Sequence, residues 1–193
     1  ILLLGVALLK TVKKSEEKEK NTTNIISNIN NYGYSLDDRD TKYMKETFEI
    51  LKTILDNDEI NEEEYAKTLS KLFVIDFYTL NNKINKYDVG SLEYILNSKK
   101  DSFKNKAIDT IYKDVIDNTY KDRVQELPEV TNVEVSNIKQ SIYKLNEEEK
   151  DAYQVTVKIE YKKDLGYDKF GTIYLIRNEK KLEIVNFTPN KEN

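Results

Sequence analysis

The sequence predicts an α+β fold in which N-terminal helices pack on a curved C-terminal antiparallel sheet. Three observations predict it. Apolar residues recur at helical spacing from Met44 to Ile116, the period changes to two after Pro128, and the last strands are joined by links short enough for antiparallel neighbours. A chain of 193 residues is long enough to bury one core without covalent staples.

At the N-terminus, residues 1–9, ILLLGVALL, are all apolar or glycine, and Lys10, Lys13 and Lys14 come directly after. Nine helical residues cover roughly 14 Å, about half of a hydrocarbon core, so the run reads as the tail of a membrane anchor; a buried strand or amphipathic element is the competing reading, weakened because no polar residue interrupts the run. The lysines favour a cytoplasmic domain, whereas a simple N-terminal anchor exports the domain behind it; the balance is read as export, with the domain extracytoplasmic. Residues 10–34 mix charges with Asn, Thr and Ser and read as a linker. The folded domain is expected over residues 35–190, and a chain trimmed to begin near Asn31 is expected to fold.

Ser35 with Asp38 resembles a helix N-cap. Met44, Phe48, Leu51 and Leu55 then mark an amphipathic helix of about five turns. Asn61 with Glu64 repeats the capping pattern and opens a second helix, with Tyr65, Leu69, Leu72, Asp76 and Leu80 on one stripe. A loop holding Asp88, Val89, Gly90 and Ser91 leads to a short helix at Leu92–Leu96. Asp101 opens another, with Phe103, Ala107, Ile108, Ile111, Tyr112, Val115 and Ile116 along its face.

Val133, Val135, Ile138 and Ile142 read as a strand with an irregularity at Ser136 and Asn137. Tyr153, Val155, Val157, Ile159 and Tyr161 alternate with polar residues, the pattern of a strand with one buried and one wet face. Turns at residues 164–167 and 178–181 separate two further strands, making a meander.

Composition excludes much chemistry. The chain has no cysteine and no histidine, which removes disulfides, thiolate nucleophiles, Cys/His zinc sites and histidine-based triads. A net charge of -4 gives no field that attracts nucleic acid. Arginine is confined to Arg39, Arg123 and Arg177, while Lys, Asn, Ile and Tyr are abundant, as in proteins encoded by AT-rich bacterial genomes.

One residue breaks the pattern. Asp76 sits on the stripe of Leu69, Leu72 and Leu80, where a carboxylate must be paired, hydrogen-bonded or protonated. It is a candidate pocket residue or buried polar group together with the nearby Tyr78 and Tyr94. As chemistry it could act as a general acid or base at a pocket floor. As structure it would accept N–H bonds from the following loop, or pair with a lysine or a tyrosine hydroxyl. The acidic run at residues 56–64 imitates the end of a calcium loop, but Thr53 and Leu55 fall where hard oxygen ligands belong, so it reads as a helix cap. Gly90 with Ser91 is a weak anion signal, and Lys99, Lys100, Lys104 and Lys106 read as a solvated face. No catalytic, cofactor-binding or metal-ligating residue is assigned.

The order of helices, long strand and meander resembles the nuclear transport factor 2-like (cystatin-like) fold. With an anchor in front, the layout resembles the bitopic assembly proteins of type IV secretion and conjugation machines. It is also similar to membrane-tethered Firmicutes proteins, above all from Phe77-Tyr78-Thr79-Leu80 through Asp88-Val89-Gly90. The resemblance implies a non-enzymatic interaction domain beside a membrane, with protein partners or a second copy of itself. The alternative it implies is a small-molecule-binding or acid–base enzymatic cone with Asp76 in its pocket. No catalytic motif is matched.

Overall fold

The computed structural model describes residues 19–190, which hold three α-helices and two antiparallel sheets. The segment expected as the tail of an anchor lies outside the described residues, and among the described residues no helix is long and apolar enough to cross a membrane.

The described chain starts with a hairpin in place of the expected linker. Strands β1 (Ile25–Ile29) and β2 (Tyr34–Asp37) pair around a turn closed by Gly33, whose φ of 64° suits a residue without a Cβ. Ile29, Tyr34 and Leu36 are buried, so the hairpin belongs to the core. A chain trimmed at Asn31 would lose β1. The folded part therefore reaches further toward the N-terminus than the expected boundary at residue 35 and includes β1 from Ile25. The polarity of Asn28, Asn30 and Asn31 hides the strand, because only one of its residues is buried.

Ser35 lies in β2 and caps no helix. Helix α1 (Lys42–Leu55) is capped by Thr41, whose side chain accepts the Met44 N–H at 3.1 Å. It buries Met44, Phe48, Leu51 and Leu55, as the periodicity predicts. Helix α2 (Glu62–Tyr78) starts as expected, with the Asn61 side chain accepting the Glu64 N–H at 3.1 Å and three glutamates in its first turn, where they complement the helix dipole. From Tyr65 to Tyr78 it is buried on nearly every side, because α1 covers one flank and the large sheet the other.

A 3-10 turn at Leu92–Tyr94 replaces the short helix expected there. Helix α3 (Lys100–Asp109) ends earlier than expected. The Thr110 hydroxyl donates to the Lys106 carbonyl, and the chain leaves helical geometry at Thr110, carrying Tyr112 and Val115 into the core through turns.

Strands β3 (Val130–Leu145), β4 (Glu148–Tyr161), β5 (Phe170–Asn178) and β6 (Lys181–Asn190) form an antiparallel sheet in chain order. The irregularity expected at Ser136 and Asn137 is a register shift between Val135 and Asn137. Val133, Val155, Val157, Ile159, Ile173, Leu175 and Ile184 face the helices and join one core. β3 and β4 pair out to Leu145 and Glu148, beyond the point where β5 stops pairing at Ala152, and leave a two-stranded arm that includes the exposed Ile142. Its turn uses Asn146 and Glu147, both with positive φ, the geometry a twisted two-residue hairpin needs.

Hairpin, helix and sheet meet in a closed ring of hydrogen bonds. The Leu182 N–H donates to the Tyr65 oxygen at 3.2 Å, and the Tyr34 hydroxyl donates to the Leu182 carbonyl at 3.2 Å. With the Tyr34 proton committed, Tyr65 donates to Tyr34 across 2.7 Å. All three residues are buried, and burial pushes the Tyr65 phenol up to about 12.

Candidate functional site

Asp76 lies in the last full turn of α2, and its side chain is 16% exposed. It is held as the structural reading expects. One carboxylate oxygen accepts the Lys83 ammonium, and the other accepts the Ser91 N–H, with the Ser91 hydroxyl at 3.3 Å. The same hydroxyl donates to the Phe73 carbonyl at 2.7 Å. Two ends of the loop over residues 81–91 are thus fastened to one turn of helix. Gly90 comes so close that a Cβ there would stand 2.6 Å from the Asp76 carbonyl oxygen.

Lys83 is only 5% exposed. Burial works against its charge, yet the Asp76 carboxylate holds its pKa above the usual lysine value.

A cavity of about 400 Å³ opens beside this clamp. Its walls come from both strands of the hairpin, the start of α1 and the turn before it, Asp76 and the loop to Glu93, and no residue of the four-stranded sheet lines it. Asp76 therefore borders a cavity, but on the side of α2 away from the sheet, not at the floor of a cone.

Charged groups of both signs line it, and each has a protein partner. Arg39 donates to Asp88 at 2.6 Å, to Asp37 at 3.1 Å and to the Asn82 carbonyl at 2.9 Å. Burial opposes the Asp88 charge, but the Arg39 bond and the Ile84 N–H hold its pKa below the ordinary value. Asp40 accepts the Asp37 N–H at 2.8 Å, and Glu93 accepts both the N–H and the hydroxyl of Ser35. Burial, aided by the negative Asp76, pushes Asp40 up to about 6 and Glu93 up to about 7 despite these bonds.

These raised values set the sign of the pH dependence. Between the unfolded values near 4 and the raised ones, the native state binds more protons than the unfolded chain, so stability falls as pH rises through that window. The unfolding free energy from denaturant titration is expected to be larger at pH 5 than at pH 8, by a combined ~2 kcal/mol for two partly screened groups, with the midpoint higher at pH 5. Glu93→Gln should flatten the profile. A midpoint that rises from pH 5 to pH 8 would contradict the assignment.

Neither tyrosine grouped with Asp76 lines the cavity. The Tyr78 hydroxyl donates to the Asp168 carboxylate at 2.9 Å and anchors the turn between β4 and β5, beside the Tyr161 hydroxyl on the Asp168 carbonyl. Tyr94 is fully buried against the Tyr34 ring, with centroids 5.3 Å apart. Its hydroxyl stands near the Glu93 carboxylate but makes no hydrogen bond of good geometry. Tyr94→Phe is accordingly expected to change stability by less than ~1 kcal/mol. A loss above twice that in a melting experiment would reveal a partner for the hydroxyl.

Sequence reasoning did not find Lys83, Arg39, Asp40 or Glu93. Each sits in a turn or loop without periodicity, and their meeting depends on how the hairpin folds back over α2. The dense acids at Asp37, Asp38 and Asp40 were the one available signal.

Comparison of the chain with family models, curated proteins and solved structures finds no match.

Proposed function

We propose that this chain is a non-enzymatic interaction and assembly domain held beside a membrane, facing the extracytoplasmic side, and that it works through protein partners or a second copy of itself. The observation that carries the reading is the commitment of the charged groups around Asp76. Asp76, Lys83, Arg39, Asp88 and Glu93 are each spent on holding the hairpin and the loop over residues 81–91 against α2. A general acid or base needs a free edge toward its substrate, and here those edges face protein. The apolar run at residues 1–9 with its lysine flank supports the tether. The layout of helices before an antiparallel sheet agrees with the assembly proteins it resembles.

Fractionation of cells expressing the gene product tests the tether. The protein should stay with membranes through salt and carbonate washes, and protease added outside should reach the domain. Recovery in the soluble fraction would remove this reading.

A second reading is favoured by one feature, the cavity of about 400 Å³ with Glu93 poised near pH 7. A small organic amine would find Glu93 and Asp40 ready to ionise against it. Saturable thermal stabilisation by such amines, lost in Glu93→Gln, would move this reading to first place.

A further inference from the structure

One end of the molecule combines three features. The described chain begins there: the Asn21 N–H donates to the Thr119 carbonyl at 2.6 Å, and Glu19 pairs with Lys121 at 2.8 Å. Two loops are laced together there as well. Asn118 donates its N–H to the Ile84 carbonyl at 2.7 Å, and Arg123 donates to the carbonyls of Asn81, Lys83 and Ile116 at 2.6, 2.8 and 3.1 Å. Finally, large apolar side chains stand in solvent on those loops: Val124 is 98% exposed, Tyr87 61% and Ile116 59%. With the 46% exposed Tyr120, these loops carry half of the large exposed apolar side chains among the described residues.

Single exposed apolar residues are ordinary, whereas a group of them marks an interaction surface. The occupant is set by where the chain leads. Residues 10–18 separate Glu19 from the apolar run at residues 1–9, and nine residues reach at most ~30 Å even when fully extended. If residues 1–9 sit in a bilayer, this end of the domain is the end held next to it. Valine, isoleucine and tyrosine are suited to the boundary between headgroups and acyl chains, where an aromatic ring can bury its body and keep its hydroxyl wet. The surrounding charge is balanced: Lys86, Lys113, Lys121 and Arg123 are matched by four acids of the same loop, Asp114 to Glu126. Anionic lipid is therefore not required.

We infer that this loop end is a membrane-resting face, on which Tyr87, Ile116 and Val124 dip into the headgroup layer of the bilayer that holds the tether. The inference rests on the tethered reading above. It adds an orientation. β3 leaves this end, since the Pro128 carbonyl just before it accepts the N–H groups of Leu80 and Asn81, and it runs outward to the arm at Ile142. Twelve strand residues from Val130 span ~40 Å, so the arm points away from the lipid.

The 193 residues contain no tryptophan, so Val124→Trp adds a reporter that is read against the unsubstituted protein. The gene product is reconstituted into phosphatidylcholine vesicles with and without a headgroup-proximal nitroxide lipid. The expected result is about two-fold quenching and a blue-shifted emission for Val124→Trp, unchanged at high salt, with Ile142→Trp unquenched. Sedimentation of both variants with the vesicles reports the tether separately. If both sediment and Val124→Trp is as unquenched as Ile142→Trp, the resting face is wrong and the tether stands. A blue-shifted but unquenched Val124→Trp means that protein, not lipid, covers the face, and also overturns the inference. If neither variant sediments, the tethered reading falls and takes this one with it.

Discussion

Asp76→Ala is expected to destabilise the fold by about 3–5 kcal/mol, the cost of stranding a buried cation. Lys83 is 5% exposed and would lose the carboxylate that offsets the burial of its ammonium, while the Ser91 N–H would lose its acceptor. Asp76→Asn keeps an acceptor for Ser91 but leaves the ammonium unneutralised, so its loss should be smaller, ~2 kcal/mol. Pairing Asp76→Ala with Lys83→Met removes the stranded charge, and the double variant should be more stable than Asp76→Ala alone. Urea denaturation of the parent, the two single variants and the double variant closes a double-mutant cycle. An Asp76→Ala midpoint equal to that of the parent would show that the clamp contributes nothing, and the reading of the site as architecture would fail.

Gly90→Ala is the second large effect, expected at about 2–3 kcal/mol from overpacking. Its φ is not positive, so backbone strain is not the cause. The cause is proximity: the added methyl would meet the Asp76 carbonyl oxygen and carboxylate, both at 2.6 Å. The carbonyl belongs to α2 and cannot retreat without bending the helix. The loop must move instead, and with it the Ser91 N–H and the Gly90 N–H, which donates to the Tyr112 hydroxyl at 3.1 Å. Gly33→Ala provides a contrast, because no atom approaches that position and its cost comes from φ alone. A Gly90→Ala protein melting with the parent would mean that this loop does not rest on the helix in solution.

What was legible in the sequence was whatever repeats. The stripe from Met44 to Leu55 and the alternation from Tyr153 to Tyr161 gave α1 and the centre of the sheet, because each element buries one regular face. The Asn61 cap was legible because capping is local, and Asp76 stood out as one polar residue in an apolar stripe. β1 was missed because it buries only Ile29 and alternates nothing. The end of α3 was misplaced because apolar residues continue at helical spacing past Thr110 although the backbone has left the helix. The site was mostly illegible for a different reason. Arg39 reaches Asp88 across 49 positions and Ser35 reaches Glu93 across 58, so their association exists only once the hairpin has folded back.

The ring through Tyr34, Tyr65 and Leu182 has a consequence for how the chain is made. Tyr34 and Leu182 are 148 positions apart. A ribosome adding ~5–20 residues per second leaves the hairpin waiting roughly 7–30 s for the strand that completes its hydrogen bonds. During that interval Tyr34 and Ile29 have helices to lean on but no sheet, and the core cannot close. The hairpin made first is thus among the last elements to be locked.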